Sequence, residues 1–356
     1  MIISTCSETL NLASNSHNDT FQIGVALIAT LYHKNSFIAL SGELGAGKTT
    51  LTQGMAKGLG IDESIVSPTY AIENRYGDTL LHMDLYRLDS KEAHRIAEAS
   101  AGFPGVRVVE WFDRLTRDWS ERLSSNKQGQ HVLEENIITI AITERSASER
   151  SIAITFNDIA FPDRARIEAW RNDMKLPHHI GKHCDAVAAL AKKLGEELLR
   201  RGKPVRLMAL ERAAELHDLL RFIDFKPDVQ KKIPHARKED AETQSHWDRI
   251  KKQYPVSHEA ACALFMTEQG YPEIGTIIRS HGLHAITDAP ESIQTIEQKL
   301  LFYADKRVKF DTEVSVDERF DEFIERYGNG VESEWAKIAR GRTKELEKEL
   351  FENAIP

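Results

Sequence analysis

Gly42-Glu43-Leu44-Gly45-Ala46-Gly47-Lys48-Thr49 fills every specified position of the pattern G-x-x-x-x-G-K-[ST], and Thr50 follows it. The apolar run Phe37-Ile38-Ala39-Leu40 before it suits a buried strand; Thr50 to Ala56 after it suits a helix. A strand, a Gly-rich turn and a helix N-terminus aim backbone N–H groups at one spot, where the helix dipole adds positive potential. Glycines let the backbone wrap a phosphate without Cβ clashes. In this pattern Lys48 neutralises the β/γ-phosphates and Thr49 offers its hydroxyl to Mg²⁺.

Composition bounds the rest. A chain of 356 residues suggests two domains, and a 41% apolar content supports packed cores. A net charge of −8 gives no support to a broad basic nucleic-acid face. Cys6, Cys184 and Cys262 are scattered, which argues against a disulfide framework or a cysteine zinc site and fits a reducing cytosol. No apolar run approaches the roughly 18 residues of a membrane span. The start, Met1-Ile2-Ile3-Ser4, lacks the pattern of a secretion signal. These readings predict a cytoplasmic protein without membrane contact.

Downstream, Val66-Ser67-Pro68-Thr69-Tyr70 reads as an extended loop, because Pro68 drives Ser67 out of helical geometry. Thr69 can reach a γ-phosphate or its Mg²⁺. Thr79 to Met83 is an apolar strand ending in Asp84, a candidate carboxylate for Mg²⁺ behind a phosphate loop, with strand punctuation as the alternative. Val106 to Val109 is a second such strand, ending in Glu110 and Trp111. Glu110 can orient an attacking water, or it can be a solvated strand end. Ile137–Ile142 and Ser151–Phe156 read as a late hairpin, and Ser124 to Gln130 as an exposed loop.

Taken together, Gly42–Thr50, Ser67-Pro68-Thr69-Tyr70, His82-Met83-Asp84-Leu85-Tyr86-Arg87-Leu88 and Glu110-Trp111 resemble the motifs of TsaE (YjeE-type) proteins, bacterial ATPases of tRNA threonylcarbamoyladenosine modification. The resemblance covers about residues 1–157. It implies ATP and Mg²⁺ as cofactors. Lys48 and Thr49 would act on phosphate and metal, Thr69 as a switch-type contact, and Asp84 as metal and catalytic carboxylate. Glu110 and Trp111 would form the far pair of the nucleotide site. It also implies a TsaB–TsaD partner complex, with no direct tRNA binding. The family usually has Pro after Glu-Trp, whereas Phe112-Asp113 stand here.

Beyond residue 157 strand-like alternation gives way to helical periodicity. Predicted helices cover 183–200, 207–222, 257–269, 274–279, 293–306, 319–326 and 332–351. Asn157 to about Arg164 holds Pro162 and reads as the linker. The resulting division is 1–157, a linker at 158–169, a helical domain at 170–320 and a helical extension at 321–356. Its outstanding piece is Ala213-Ala214-Glu215-Leu216-His217-Asp218, an apolar helix closing on His-Asp. His183, His258, His281 and Asp305 sit beside apolar stripes of four other predicted helices. A single buried His is usually a hydrogen-bonded core residue. A set from five helices is costly to bury without metal, about 1–3 kcal/mol per unsatisfied group. Imidazole and carboxylate together suit Fe, Mn, Zn, Co or Ni, holding a metal that generates hydroxide.

The order His…His-Asp…His…His…Asp, with "AELHDLLRF", "SHEAA", "IIRSHGL" and "LLFYADKRV", resembles the HDIG-type branch of HD-domain phosphohydrolases over about residues 170–320. The implied core metal set is His183, His217, Asp218 and Asp305, with His258 and His281 permitting a second metal. Asp218 would bridge the metals or lie beside the attacking water. Leu219-Leu220-Arg221 stand where this family often has Ile-Gly-Lys. Lys182, Arg221 and the pair Lys306-Arg307 are candidate anion contacts; His178, His179 and His284 are read as structural or surface residues.

The expected fold class is multidomain, an α/β P-loop NTPase domain followed by an all-α HD domain. The expected function is an ATP-hydrolysing component of tRNA modification joined to a phosphohydrolase of a nucleotide-like phosphate. The alternative is a nucleotide-dependent binding module that docks TsaB–TsaD and carries a nucleotide-sensing HD domain.

Overall fold

Strand β2 (Phe37–Ser41) is apolar on both faces because it lies mid-sheet: Ile38 and Leu40 pack on one side, Phe37 and Ala39 on the other. The computed structural model describes residues 7–115, 137–225, 240–289, 292–328 and 330–351. The predicted loop Ser124 to Gln130, Cys6 and the first residues fall outside them.

A seven-stranded mixed sheet runs β1-β7-β6-β2-β5-β4-β3. Its parallel centre joins β2 to β5 (Val106–Glu110), β5 to β4 (Leu80–Asp84) and β2 to β6 (Ile137–Glu144). Antiparallel pairs close it at β7 (Arg150–Phe156), β1 (Glu8–Ser14) and β3 (Glu73–Tyr76). Neither β1 nor β3 was expected from the sequence. Helices α1 (His17–Ile28) and α2 (Lys48–Gly58) cover one face, and α3 (Ser90–Ala99) packs Ala93 and Ala97 against the other. The pair α1 and α2 touch backbone to backbone: a Cβ on Gly54 would lie 2.0 Å from the Phe21 carbonyl oxygen.

The second half is mainly helical: α4 (Arg164–Asp173), α5 (His178–Arg200), α6 (Leu207–Leu216), α7 (Ala241–Gln253), α8 (His258–Glu268), α9 (Pro272–Arg279), α10 (Leu283–Thr287), α11 (Ile296–Asp305), α12 (Val316–Gly328) and α13 (Glu334–Phe351). A small hairpin, β8 (Val308–Lys309) with β9 (Thr312–Glu313), interrupts it. Three differences from the sequence reading stand out. First, α4 begins within the stretch read as linker, where the Asp163 side chain accepts from Arg166 N, and Asp158, Ile159 and Phe161 of that stretch are buried. Second, the predicted helix 207–222 stops at Leu216, because Leu219 N and Arg221 N bond three residues back and tighten the chain. Third, α7 was not expected; its Trp247 stacks on Phe222 at 4.9 Å. No helix among the described residues is long and apolar enough to cross a membrane.

The two halves meet on buried polar groups. Arg206, fully buried, makes two hydrogen bonds to Asp158 at 2.6 and 2.8 Å and one to the Thr30 carbonyl at 3.0 Å. Glu297 accepts from Arg206 N and from the Tyr32 hydroxyl, each at 2.8 Å. Glu8 accepts from Met208 N at 2.9 Å, and burial pushes its pKa from 4.5 up to about 7. A carboxyl with a raised folded pKa binds more protons folded than unfolded. Its contribution is therefore full below the unfolded pKa and falls as pH rises towards about 7. Glu8→Gln should lose less stability than the parent between about pH 5 and about pH 7 in urea titrations. Equal losses in the two proteins would show that Glu8 is not responsible.

Candidate active sites

The phosphate loop joins β2 to α2 through three glycines at positive φ, Gly42 (142°), Gly45 (83°) and Gly47 (107°). Only glycine adopts these angles freely, and a Cβ on Gly42 would also lie 2.4 Å from Ile142 O. Gly47 caps α2 with no side-chain acceptor, so none of the helix's first N–H groups is covered by a side chain from that position. Glu43 and Leu44 form the exposed crest, Ala46 is buried, and Arg150 Nε holds Ala46 O at 3.1 Å from behind.

Lys48 turns back along the loop, donating to Gly42 O at 2.7 Å and Glu43 O at 3.0 Å. Its Nζ lies 3.7 Å from the Trp111 ring centre. Burial lowers its pKa, against the opposing charges of Glu110 and Asp84. Register brings the two strand-end acids together: Asp84 on β4 pairs with Glu110 on β5, and Glu110 also lies opposite Leu40 of β2. The ends of three neighbouring strands thus converge beside the loop, the usual place for a ligand in such sheets.

The two acids are engaged differently. Thr49 donates to Glu110 at 2.9 Å, and His82 Nε2 lies 2.8 Å from the same oxygen. Asp84 instead accepts from Thr69 at 2.6 Å, Ser67 at 3.2 Å and Tyr86 N at 2.9 Å. The loop hydroxyl therefore contacts Glu110 rather than Asp84, which the sequence reading had matched to Thr49's metal. Thr50 faces away, to His17 Nε2 at 3.0 Å. Trp111, at φ 61°, packs on Tyr86, and Phe112, where the family pattern has Pro, packs edge-on against Phe37 at 5.9 Å. His82 was missed as a site residue. Its signal was strand alternation: two residues before Asp84, it shares that face and meets Glu110 diagonally.

The second cluster draws His183 from α5, His217 and Asp218 from the tight turn after α6, His258 from the start of α8, His281 from just after α9 and Asp305 from the end of α11. All six are buried. Ligand-type atoms of His183, His217 and Asp218 lie within 4.8 Å of one another, as do those of Asp218, His258 and His281, so Asp218 belongs to both sets. Asp305 Oδ1 is 3.0 Å from His183 Nε2 and 3.8 Å from His217 Nε2. Asp218 Oδ1 is 3.0 Å from His258 Nε2 and 3.6 Å from His281 Nε2.

The imidazoles are held from behind. Nδ1 of His183, His217 and His281 faces the carbonyls of Phe310, Ala214 and Ile278 at 2.7, 2.8 and 2.7 Å. A carbonyl only accepts, so Nδ1 carries a proton and Nε2 is the atom each ring turns toward the cluster. His258 Nδ1 lies 2.6 Å from Asp224. His217 Nε2 is buried and has no hydrogen-bond partner. This orphaned nitrogen and the imidazole–carboxylate donor set fit a divalent transition metal.

Burial pushes the Asp218 carboxyl up, but His217 and the hydrogen bonds of His258 and His281 outweigh it and hold the pKa well below the usual range. The same balance, with Lys306 and His183 opposing burial, keeps Asp305 ionised. Burial holds the His281 pKa down. Arg221 Nη1 lies 2.8 Å from His258 Nδ1, and buried Lys306 donates to Asp305 and to His281 O. By contrast Lys182 is exposed and does not line the adjoining cavity, and Arg307 turns to Tyr303, Glu313 and Glu347. His178 is exposed; exposed His284 and half-buried His179 both line the cavity, His179 with a buried, unpartnered Nε2. Asp224 was missed: it ends a four-residue 3-10 helix that starts at Arg221, too short for periodicity to single it out.

The loop between strand and helix thus has the architecture of a P-loop protein. The family model "Threonylcarbamoyl adenosine biosynthesis protein TsaE" matches residues 14–152. Proteins named tRNA threonylcarbamoyladenosine biosynthesis protein TsaE match from Nostoc sp. (43% identity; 27% of this chain, 64% of the relative), Treponema pallidum (38%; 32% and 85%) and Bacillus subtilis (32%; 36% and 75%). Over its first ~150 residues the chain belongs to the TsaE family. It spans less than two thirds of the Nostoc relative and 56% of one from Synechocystis. The crystal structure of YdiB from Bacillus subtilis is 28% identical and aligns with 43% of this chain and 89% of its own at a TM-score of 0.31.

Proposed function

We propose that the chain is bifunctional. Its first half is an ATP-hydrolysing component of tRNA threonylcarbamoyladenosine synthesis working with a TsaB–TsaD complex. Its second half is an HD-type metal-dependent phosphohydrolase of a nucleotide-like phosphate. The proposed division is 1–157, 158–169, 170–320 and 321–356, with α4 starting inside the second segment and α12 running across the last boundary.

In the first site, Lys48 Nζ exchanges its two loop carbonyls for the β- and γ-phosphate oxygens, whose charge it neutralises. The free amides at the start of α2 hold the same phosphates. Thr49 with Asp84 or Glu110 would hold Mg²⁺, which supplies charge compensation when bound. Glu110, kept in place by His82, is the group placed to orient water. Trp111 lies over Lys48 at the edge of the same site. The observation that carries this reading is the joined geometry of Lys48, Thr49 and Glu110 in a TsaE-family chain. Lys48→Ala should lower ATP turnover about 10²-fold or more with the fold intact. Turnover equal to the parent would sink it.

In the second site, His183, His217, Asp218 and Asp305 would hold a transition metal, and His258 and His281 with Asp218 a second. A bound metal supplies a hydroxide at neutral pH. The unpartnered His217 Nε2 carries this reading. Arg221 braces His258, and Lys306 braces Asp305. A second reading of the first half, a nucleotide-dependent docking module, is favoured by one observation. Thr69 is tied to Asp84, while neighbouring Tyr70 is 85% exposed. Partner binding that follows nucleotide state without hydrolysis would favour that reading.

A further inference from the structure

The histidine–aspartate cluster opens into a cavity of about 940 Å³. That is near the upper end of ordinary ligand pockets, about 300–1,000 Å³. One wall comes from α12 and α13, to which the sequence assigned no role. Its aromatic members are Phe320, Phe323, Tyr327 and Trp335. Its cations are Arg319 and Arg326, both paired with the carboxylate of Glu322.

Arg319 is 6% exposed and its Nε has no hydrogen-bond partner. Its guanidinium lies 3.9 Å from the Phe323 ring centre, and it lines the same cavity as His183, His281 and Asp305. A buried N–H without an acceptor is costly unless a ligand completes it. A guanidinium matches a phosphate in geometry, and aromatic rings receive a flat apolar group. A bracing role alone, holding α12 through Glu322, would leave the orphaned Nε unexplained.

We propose that Arg319 binds the phosphate of the ligand of this cavity, and that Phe323, Tyr327 and Trp335 hold its other part, so that the ligand is a phosphomonoester bearing an aromatic group. The ligand class rests on the phosphohydrolase reading; the binding role of Arg319 has its own test. Phenyl phosphate and inorganic phosphate are titrated calorimetrically into the full chain after chelator treatment, with Lys48→Ala throughout to silence the first site. Arg319→Gln should weaken both by about tenfold or more, the size of one charge-assisted hydrogen bond. Arg319→Lys should restore part of the loss. Trp335→Ala should weaken phenyl phosphate alone. Glu322→Gln, which releases Arg319 from its carboxylate, should tighten both and serves if Arg319→Gln does not fold. Unchanged binding in Arg319→Gln, or weaker binding in Glu322→Gln, overturns the assignment. Metal-loaded protein that binds phenyl phosphate through Arg319 but never hydrolyses it would instead overturn the phosphohydrolase reading and leave the site standing.

Discussion

Protein purified without a metal-affinity step should carry about one or two equivalents of Fe, Mn, Ni, Co or Zn, and His217→Ala or Asp218→Ala should lose most of it. Two features set the size of the effect. His217 Nε2 has no hydrogen-bond partner, so a ligand role is what the variant removes there. Asp218 belongs to both groups of ligand atoms, so its loss reaches both. Replacement of a residue that merely supports a ligand costs about 10–100-fold in affinity, and a direct ligand should cost more. Asp224→Ala, which removes the carboxylate that holds the outer nitrogen and backbone N–H of His258 and one nitrogen of Arg221, is the graded control. Elemental analysis of the parent and the three variants is the measurement. A parent without metal, and without activity after metal is added back, would reduce the second half to a helical binding module.

Asp158→Ala should destabilise the protein by about 3–5 kcal/mol, because it leaves the Arg206 charge buried without its carboxylate. The remaining contacts compensate only in part, since Glu297, the other acid acting on Arg206, already accepts from Arg206 N and Tyr32. Thr30 O takes one N–H, and the Phe156 ring, 4.0 Å from the guanidinium carbon, supplies only a cation–π contact. Total stabilities run about 5–15 kcal/mol, so the loss is a large share. Arg206→Met with Asp158→Leu removes both charges and should recover much of it, since a buried pair is often no better than apolar residues of similar size. Chemical denaturation of the single and double variants decides the point. A loss under about 1 kcal/mol in Asp158→Ala would mean that water reaches the guanidinium.

Much of this was legible in the chain itself. The eight residues 42–49 and the apolar strand before them defined a phosphate loop, because a strand, glycines and a helix start act over short range. The strand-end acids Asp84 and Glu110 and the adjacent pair His217-Asp218 were visible for the same reason: an acid closing an apolar run is a local signal. What each acid touches was not. Thr49 reaches Glu110, and Thr69 reaches Asp84, only because parallel pairing sets Asp84, Glu110 and Leu40 in one register. That register is a contact between strands far apart in sequence, so no spacing encodes it.

The junction was less legible still. Asp158 lay in a stretch read as linker, and Arg206 looked like an ordinary basic residue before a helix. Their pairing follows from burying both beneath Thr30, Phe156 and Glu297. By itself the sequence determined which chemistry-bearing side chains the protein has and on which local elements they sit. The tertiary structure alone decided which meet: long-range packing placed six ligand-type residues around one centre and set Arg319 beside it. The reason is physical. Local conformation depends on neighbours a few bonds away, while a buried polar contact is decided by what the rest of the chain leaves for it to pair with.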